Sequence, residues 1–220
     1  NTNSPKYFIV RKDPSGDTYA IALLYSKRTL YSRKTDITSP LEIIHYGSDH
    51  NEVSRKLCAA PNDNEARCGL IDMVVAGPEK IIALFKIVKD RKVTNMLLGF
   101  IENGKLTYKE ANLAIDRYLP YYSLKYNPVS NKIILLEASA VNEKRLEEYS
   151  TFLYMFNSSA TKEDINDFGI GGKLQTGYQD FFDKKDPYQG MPQDLVVNED
   201  GSFTILYEEI LAVRNNTGNG

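Results

Sequence analysis

The chain has 220 residues, 42% hydrophobic and 25% charged, an ordinary globular composition with room for one sizeable core or two small ones. A formal net charge of -2 leaves no basic footprint for nucleic acid or an anionic membrane surface, and no apolar run approaches the roughly 18 residues of a membrane helix. Fifteen Tyr against zero Trp favours half-exposed strands and weakens any sugar-stacking platform built on indole rings.

In chain order, residues 6–26 hold two apolar runs around the turn Pro14-Ser15-Gly16-Asp17, the pattern of a β-hairpin. A third strand is expected at 39–48, followed by His45, Asp49 and His50, the one cluster in which imidazoles and a carboxylate lie close in sequence. Its simplest reading is a solvated loop after an edge strand, with no metal implied. Cys58 and Cys68 flank a polar segment containing Pro61 and Asn62, so either a loop-closing disulfide or two buried thiols fits them. Two Cys alone cannot build a structural zinc site.

A second hairpin follows at 69–88 around Gly77-Pro78, and Asn103-Gly104 marks a further turn between antiparallel strands. Residues 107–119 admit two readings. Thr107 and Glu110 have capping-box spacing, with apolar residues at helical intervals up to Pro120, whereas a regular four-stranded sheet makes the same stretch an outer strand. A third hairpin occupies 121–139 around Asn127-Pro128, with a charged hairpin or rim loop at 137–150 and another strand at 149–159. Residues 161–169 predict a short helix, with Thr161 as cap, acidic residues in the first turn and Gly169 as stop.

The glycine-rich stretch 167–178 has neither dinucleotide-fingerprint nor P-loop spacing and reads as a loop between units. Residues 178–195 mix rings with carboxylates. Tyr178, Asp180, Phe181, Phe182, Asp183 and Tyr188 are the candidate binding residues, suited to a protein- or glycan-contacting lip. The last hairpin, 192–209, turns at Asn198-Glu199-Asp200-Gly201. That acidic joint lacks the alternating carboxylates and the distant Glu of an EF-hand frame, so it is expected to turn the chain and not to hold a cation.

The second strands of the four hairpins begin near Thr18, Lys80, Lys132 and Ser202, at spacings of 62, 52 and 70 residues. Each interval holds about four strands, the mark of a propeller blade. The expected fold is therefore all-β: four-stranded antiparallel blade repeats forming a partial or small β-propeller, with short helical inserts. The units are about 6–60, 69–118, 121–170 and an incomplete 190–213, within one domain spanning 1–220. The stretches "RKDPSGDTYAIAL", "YNPVSNKIILL" and "VNEDGSFTILYEE" resemble blade hairpins of TolB-like and prolyl-oligopeptidase-type propellers, and those of surface or periplasmic propeller proteins of Bacteroidetes-type bacteria. The resemblance implies a fold and an extracytoplasmic setting, and carries no catalytic residue across.

About three and a half blades do not close a ring, so the expectation is a piece of a longer propeller, or a chain covered by a partner. Two His and no Gly-x-Ser-x-Gly elbow leave little for a catalytic triad. No catalytic residue and no cofactor are implied. The expected function is binding or scaffolding through rim loops. Two alternatives stand beside it: a propeller glycosidase or lyase using clustered axial carboxylates, and an α+β interaction domain if 107–119 is helical.

Overall fold

The computed structural model describes residues 7–24, 41–63, 65–115, 118–142, 145–157, 159, 161–167 and 191–208. They form fourteen strands and, among the described residues, no helix. Sheet I contains β1 (Tyr7–Lys12), β2 (Tyr19–Leu24), β3 (Leu41–Tyr46) and β4 (Glu52–Cys58). Sheet II contains β5 (Arg67–Val75), β6 (Lys80–Lys89), β7 (Lys92–Glu102) and β8 (Lys105–Glu110). Sheet III contains β9 (Tyr118–Asn127), β10 (Lys132–Asn142), β11 (Arg145–Asn157) and β12 (Lys162–Asp167), and β13 (Met191–Val197) with β14 (Phe203–Glu208) makes sheet IV. Every pairing is antiparallel between consecutive strands, so each sheet is a meander.

The four hairpins expected from the sequence are the first two strands of these four sheets. Three of their turns are held by side chains that copy backbone hydrogen bonds. Asp13 accepts from the Ser15 amide at 2.9 Å and the Ser15 hydroxyl at 2.8 Å. Asn127 accepts from the amides of Val129 at 3.0 Å and Ser130 at 3.1 Å. Asp200 accepts from the Ser202 amide at 2.9 Å and its hydroxyl at 2.6 Å. Those bonds hold the exposed Asp200 carboxyl below its ordinary pKa, so the acidic joint serves its own turn.

Of the two readings of 107–119 the outer strand holds, in β8, and the helix expected at 161–169 is replaced by strand β12 over its described residues. Residues 105–110 pair with β7 across Asn103-Gly104, whose φ values of 50° and 71° match a two-residue hairpin turn. That ladder buries Leu106 against the core, sets Tyr108 edge-on to Phe85 at 5.7 Å, and lets the Ala111 amide reach the Met96 carbonyl at 3.0 Å. About 1 kcal/mol of capping preference cannot compete with a whole ladder and its burial. Pro120, read as a helix stop, sits instead on edge strand β9 where its ladder with β10 shifts register, a position that needs no amide donor. At 161–167 the expected cap Thr161 closes the β11–β12 turn, its amide donating to Asn157 Oδ1 at 3.0 Å, and Lys162–Asp167 pairs with β11. Among the described residues nothing is helical, so the helix at 107–119 that would favour an α+β domain is not formed there.

The sheets pack face to face. Between I and II lie Ala20, Ala22, Ile43, Met73, Ile81 and Phe85. Between II and III lie Val74, Ile82, Leu84, Leu124, Leu135 and Tyr154. Ile134, Leu136, Leu153 and Leu195 join III to IV. The first strands are neighbours in series, β1 beside β5, β5 beside β9, β9 beside β13.

Sheet IV is locked to sheet III at the turns, where Asn127 Nδ2 donates to the Gly201 carbonyl at 2.7 Å. Gly201 has φ of 82°, and a Cβ there would lie 2.9 Å from Val129 Cβ. Gly201→Ala is therefore expected to destabilise the fold by about 2 kcal/mol, combining left-handed strain with a steric clash, as read by the midpoint of urea unfolding at unchanged m-value.

Candidate functional site

An isolated carboxylate inside an apolar strand must find partners, since burying it alone is prohibitive. Asp72, in the run "GLIDMVV", is 6% exposed. It sits where β5 slips register against β6. Its Oδ1 accepts from Arg11 Nη2 at 2.7 Å, Arg11 Nε at 3.1 Å and its neighbour's amide, Met73 N, at 2.9 Å. Its Oδ2 accepts from the Leu124 amide at 2.9 Å. One side chain thus joins three sheets at their first strands.

A looser, exposed version recurs. Asp194 lies at a register shift of β13, accepts from the Leu195 amide at 2.8 Å, and pairs with Lys125 of β9 at 3.5 Å. Arg11 and Lys125 stand opposite Ala20 and Ile134, and Asp72 and Asp194 stand opposite Leu84 and Leu206, so the pairs occupy equivalent positions in their sheets.

These first strands surround a cavity of about 250 Å³. Its walls are aliphatic, from Val74, Leu124, Leu195 and Val196, and its charged lining is Arg11, Lys12 and Lys125. Among the described residues no carboxylate lines it: Asp72 and Asp194 face the neighbouring cations Arg11 and Lys125, and Lys12 is drawn to Asp17 at 2.9 Å. A shallower depression of about 450 Å³ on sheet II, beside Asn62, Thr94 and Tyr108, has Glu110 as its one carboxylate.

The His-carboxylate cluster does not converge. His45 points into the I/II interface at 1% exposure, with no hydrogen-bond partner for Nε2. Asp49 stays in its exposed turn, accepting from Asn51 Nδ2 at 2.7 Å, and His50 lies against Tyr19 at 5.8 Å between centroids. Among the described residues no group of three metal-ligating side chains forms.

Cys58 and Cys68 are free thiols at the I/II junction. The Tyr108 hydroxyl donates to the Ala59 carbonyl at 2.7 Å, which leaves it to accept from Cys68 Sγ at 3.9 Å. Burial pushes Cys58 up to about 12 and Cys68 to about 11, so both are protonated and poorly nucleophilic at neutral pH. The candidate binding residues Tyr178, Asp180, Phe181, Phe182, Asp183 and Tyr188, and the glycine-rich stretch before them, lie outside the described residues. The 137–150 stretch is a hairpin of β10 and β11.

Sequence reading passed over Asp72. The signal was the lone charge in an apolar run, which requires a partner such as Arg11. No family model matches the chain, and comparison with curated proteins likewise gives no match.

Removing the buried carboxylate strips the Met73 and Leu124 amides and the half-exposed Arg11 of their acceptor, so Asp72→Ala is expected to cost about 3 kcal/mol. A double-mutant cycle with Arg11→Met should return a coupling of about 1–3 kcal/mol. Zero coupling would show that the carboxylate acts through the amides alone.

Burial lowers the His45 pKa, with Asp13 opposing. The unfolded chain therefore takes up this proton first on acidification. Stability is fully present above the unfolded value of about 6.5 and declines as pH falls below it towards the depressed folded value. His45→Gln should flatten the dependence of unfolding free energy on pH between about 7 and 5, as measured by urea titration at each pH.

Proposed function

We propose that this chain is a non-catalytic binding or scaffold module of β-propeller type, working outside the cytoplasm and contacting protein or glycan through its rim loops. The arrangement of meander sheets supports the propeller reading, since their first strands follow one another around a common cavity. The observation that carries the functional reading is the lining of that cavity. A propeller glycosidase needs two carboxylates facing a sugar across roughly 5–10 Å. Here Asp72 is consumed in a structural network and Asp194 stands half-exposed beside Lys125, and the space is smaller than the roughly 300 Å³ at which ligand pockets begin.

With the axis closed to such chemistry, contacts fall to the rim, above all to 160–194, where Tyr178, Phe181, Phe182 and Tyr188 supply rings and Asp180 and Asp183 supply acceptors. The partner is another protein, a glycan, or further sheets of a longer polypeptide. The extracytoplasmic setting rests on the likeness of the hairpins to surface and periplasmic propellers. Among the described residues no helix is long and apolar enough to cross a membrane.

The test is a glycan array together with immobilised extracytoplasmic proteins, probed with the wild-type chain and with Phe181→Ala/Phe182→Ala. A specific signal that drops at least about tenfold in the variant, about 1.4 kcal/mol, at an unchanged melting temperature, supports the rim-loop reading. Hydrolysis of aryl glycosides above background, abolished by substituting a carboxylate, would overturn it in favour of the glycosidase.

A further inference from the structure

The chain holds two cysteines, and the fold brings both to one junction. Cys58 is the last residue of β4 in sheet I, and Cys68 is the second residue of β5 in sheet II. Cys58 stands opposite Leu41 and is 5% exposed, whereas Cys68 stands opposite Ile87 and is only half-buried. Both side chains pack into the same I/II core.

One oxygen atom links the two positions. The Tyr108 hydroxyl lies 3.9 Å from Cys68 Sγ and 2.7 Å from the carbonyl oxygen of Ala59, the residue that follows Cys58. Electrostatics agrees with that geometry. A charge on Cys68 pushes the Cys58 thiol up, and charges on both sulfurs push the Tyr108 hydroxyl up.

The segment between the cysteines is already turned back. Asp63 accepts from the amides of Glu65 at 2.9 Å and Ala66 at 3.2 Å, and it receives Lys89 Nζ from β6 at 2.9 Å. The native fold has thus met most of the entropic cost of closing this loop, a cost that falls on the unfolded chain when a covalent link is made there.

We propose that Cys58 and Cys68 are a disulfide-forming pair, tying the end of sheet I's outer strand to the start of sheet II once the chain meets a small-molecule disulfide oxidant. The Cys68 thiolate attacks one sulfur of a disulfide such as oxidised glutathione and expels one glutathione thiolate. The Cys58 thiolate then attacks the Cys68 sulfur of that mixed disulfide and expels the second. The pair gives up two protons and two electrons, and the oxidant leaves as two thiols. The raised thiol pKa values make the exchange slow, which suits a bond formed once and kept and does not suit a catalytic dithiol. Such a bond persists in an oxidising compartment, so it shares the extracytoplasmic reading above but is independent of any rim-loop ligand.

The test equilibrates the native wild-type chain in mixtures of reduced and oxidised glutathione, with a parallel series in urea. Each sample is quenched in acid, alkylated and read by intact mass. The native chain should lose two hydrogens with an equilibrium constant at least about tenfold above that of the unfolded chain. By linkage, the bonded form should then gain the same factor in its folding equilibrium, about 1.4 kcal/mol, read by urea unfolding. In Cys58→Ser the product should change to a glutathione adduct on Cys68, which assigns the mass loss to the pair. An equilibrium constant equal to or below the unfolded value would overturn the proposal, because native packing would then hold the sulfurs apart. A stable glutathione adduct on Cys68 of the wild type, with Cys58 still a thiol, would overturn it as well.

Discussion

The structure depends most on the carboxylate of Asp72. Its two oxygens receive a guanidinium from sheet I, an amide of its own strand and an amide from sheet III. Apolar faces hold sheets together without fixing how far one slides along another, because the hydrophobic effect is non-directional. Four hydrogen bonds to one buried group define that slide for sheets I, II and III at once. A partly formed network would be worse than an apolar side chain, so the position tolerates little besides a full set of partners.

The bases and acids of the axis have a structural use, and this shapes the functional reading. Arg11, Lys125, Asp72 and Asp194 are residue types from which active sites are built, and they stand close to a shared cavity. They pair with one another across sheet junctions, leaving aliphatic walls and cationic rims. His45 is also absorbed by packing, facing sheet II from the middle of β3. The interior is thus occupied with holding the sheets in order, which is what supports the proposal of recognition at surfaces.

Much of the architecture was legible because turn chemistry is local. Gly201 and Asn103-Gly104 announce positive φ, and the apolar runs beside them announce strands. The Asp90-Arg91 turn, with φ of 50° and 65°, escaped notice because Arg91 stands where a glycine or asparagine is usual. The helical expectation at 161–169 failed for the opposite reason. Thr161, Glu163 and Asp164 carry real local helix-start signals, but β11 offers a long partner ladder whose pairing outweighs them. The axial pairs were hidden because Arg11 and Asp72 are 61 residues apart, and only the stacking of sheets brings them together. The proposed rim residues were legible as composition alone: aromatic and acidic side chains in a long connection.

The attachment of sheet IV has a consequence for the order in which the molecule comes apart. Its described part is one hairpin, and a lone hairpin is marginal in water. It is held by Leu195 in the core, by the Asn127–Gly201 bond, by Tyr121 donating to the Gln193 carbonyl at 3.3 Å, and by the long Lys125–Asp194 pair. Each of these tethers comes from sheet III. The described hairpin of sheet IV thus takes these tethers from sheet III and is expected to open before the I–II–III block.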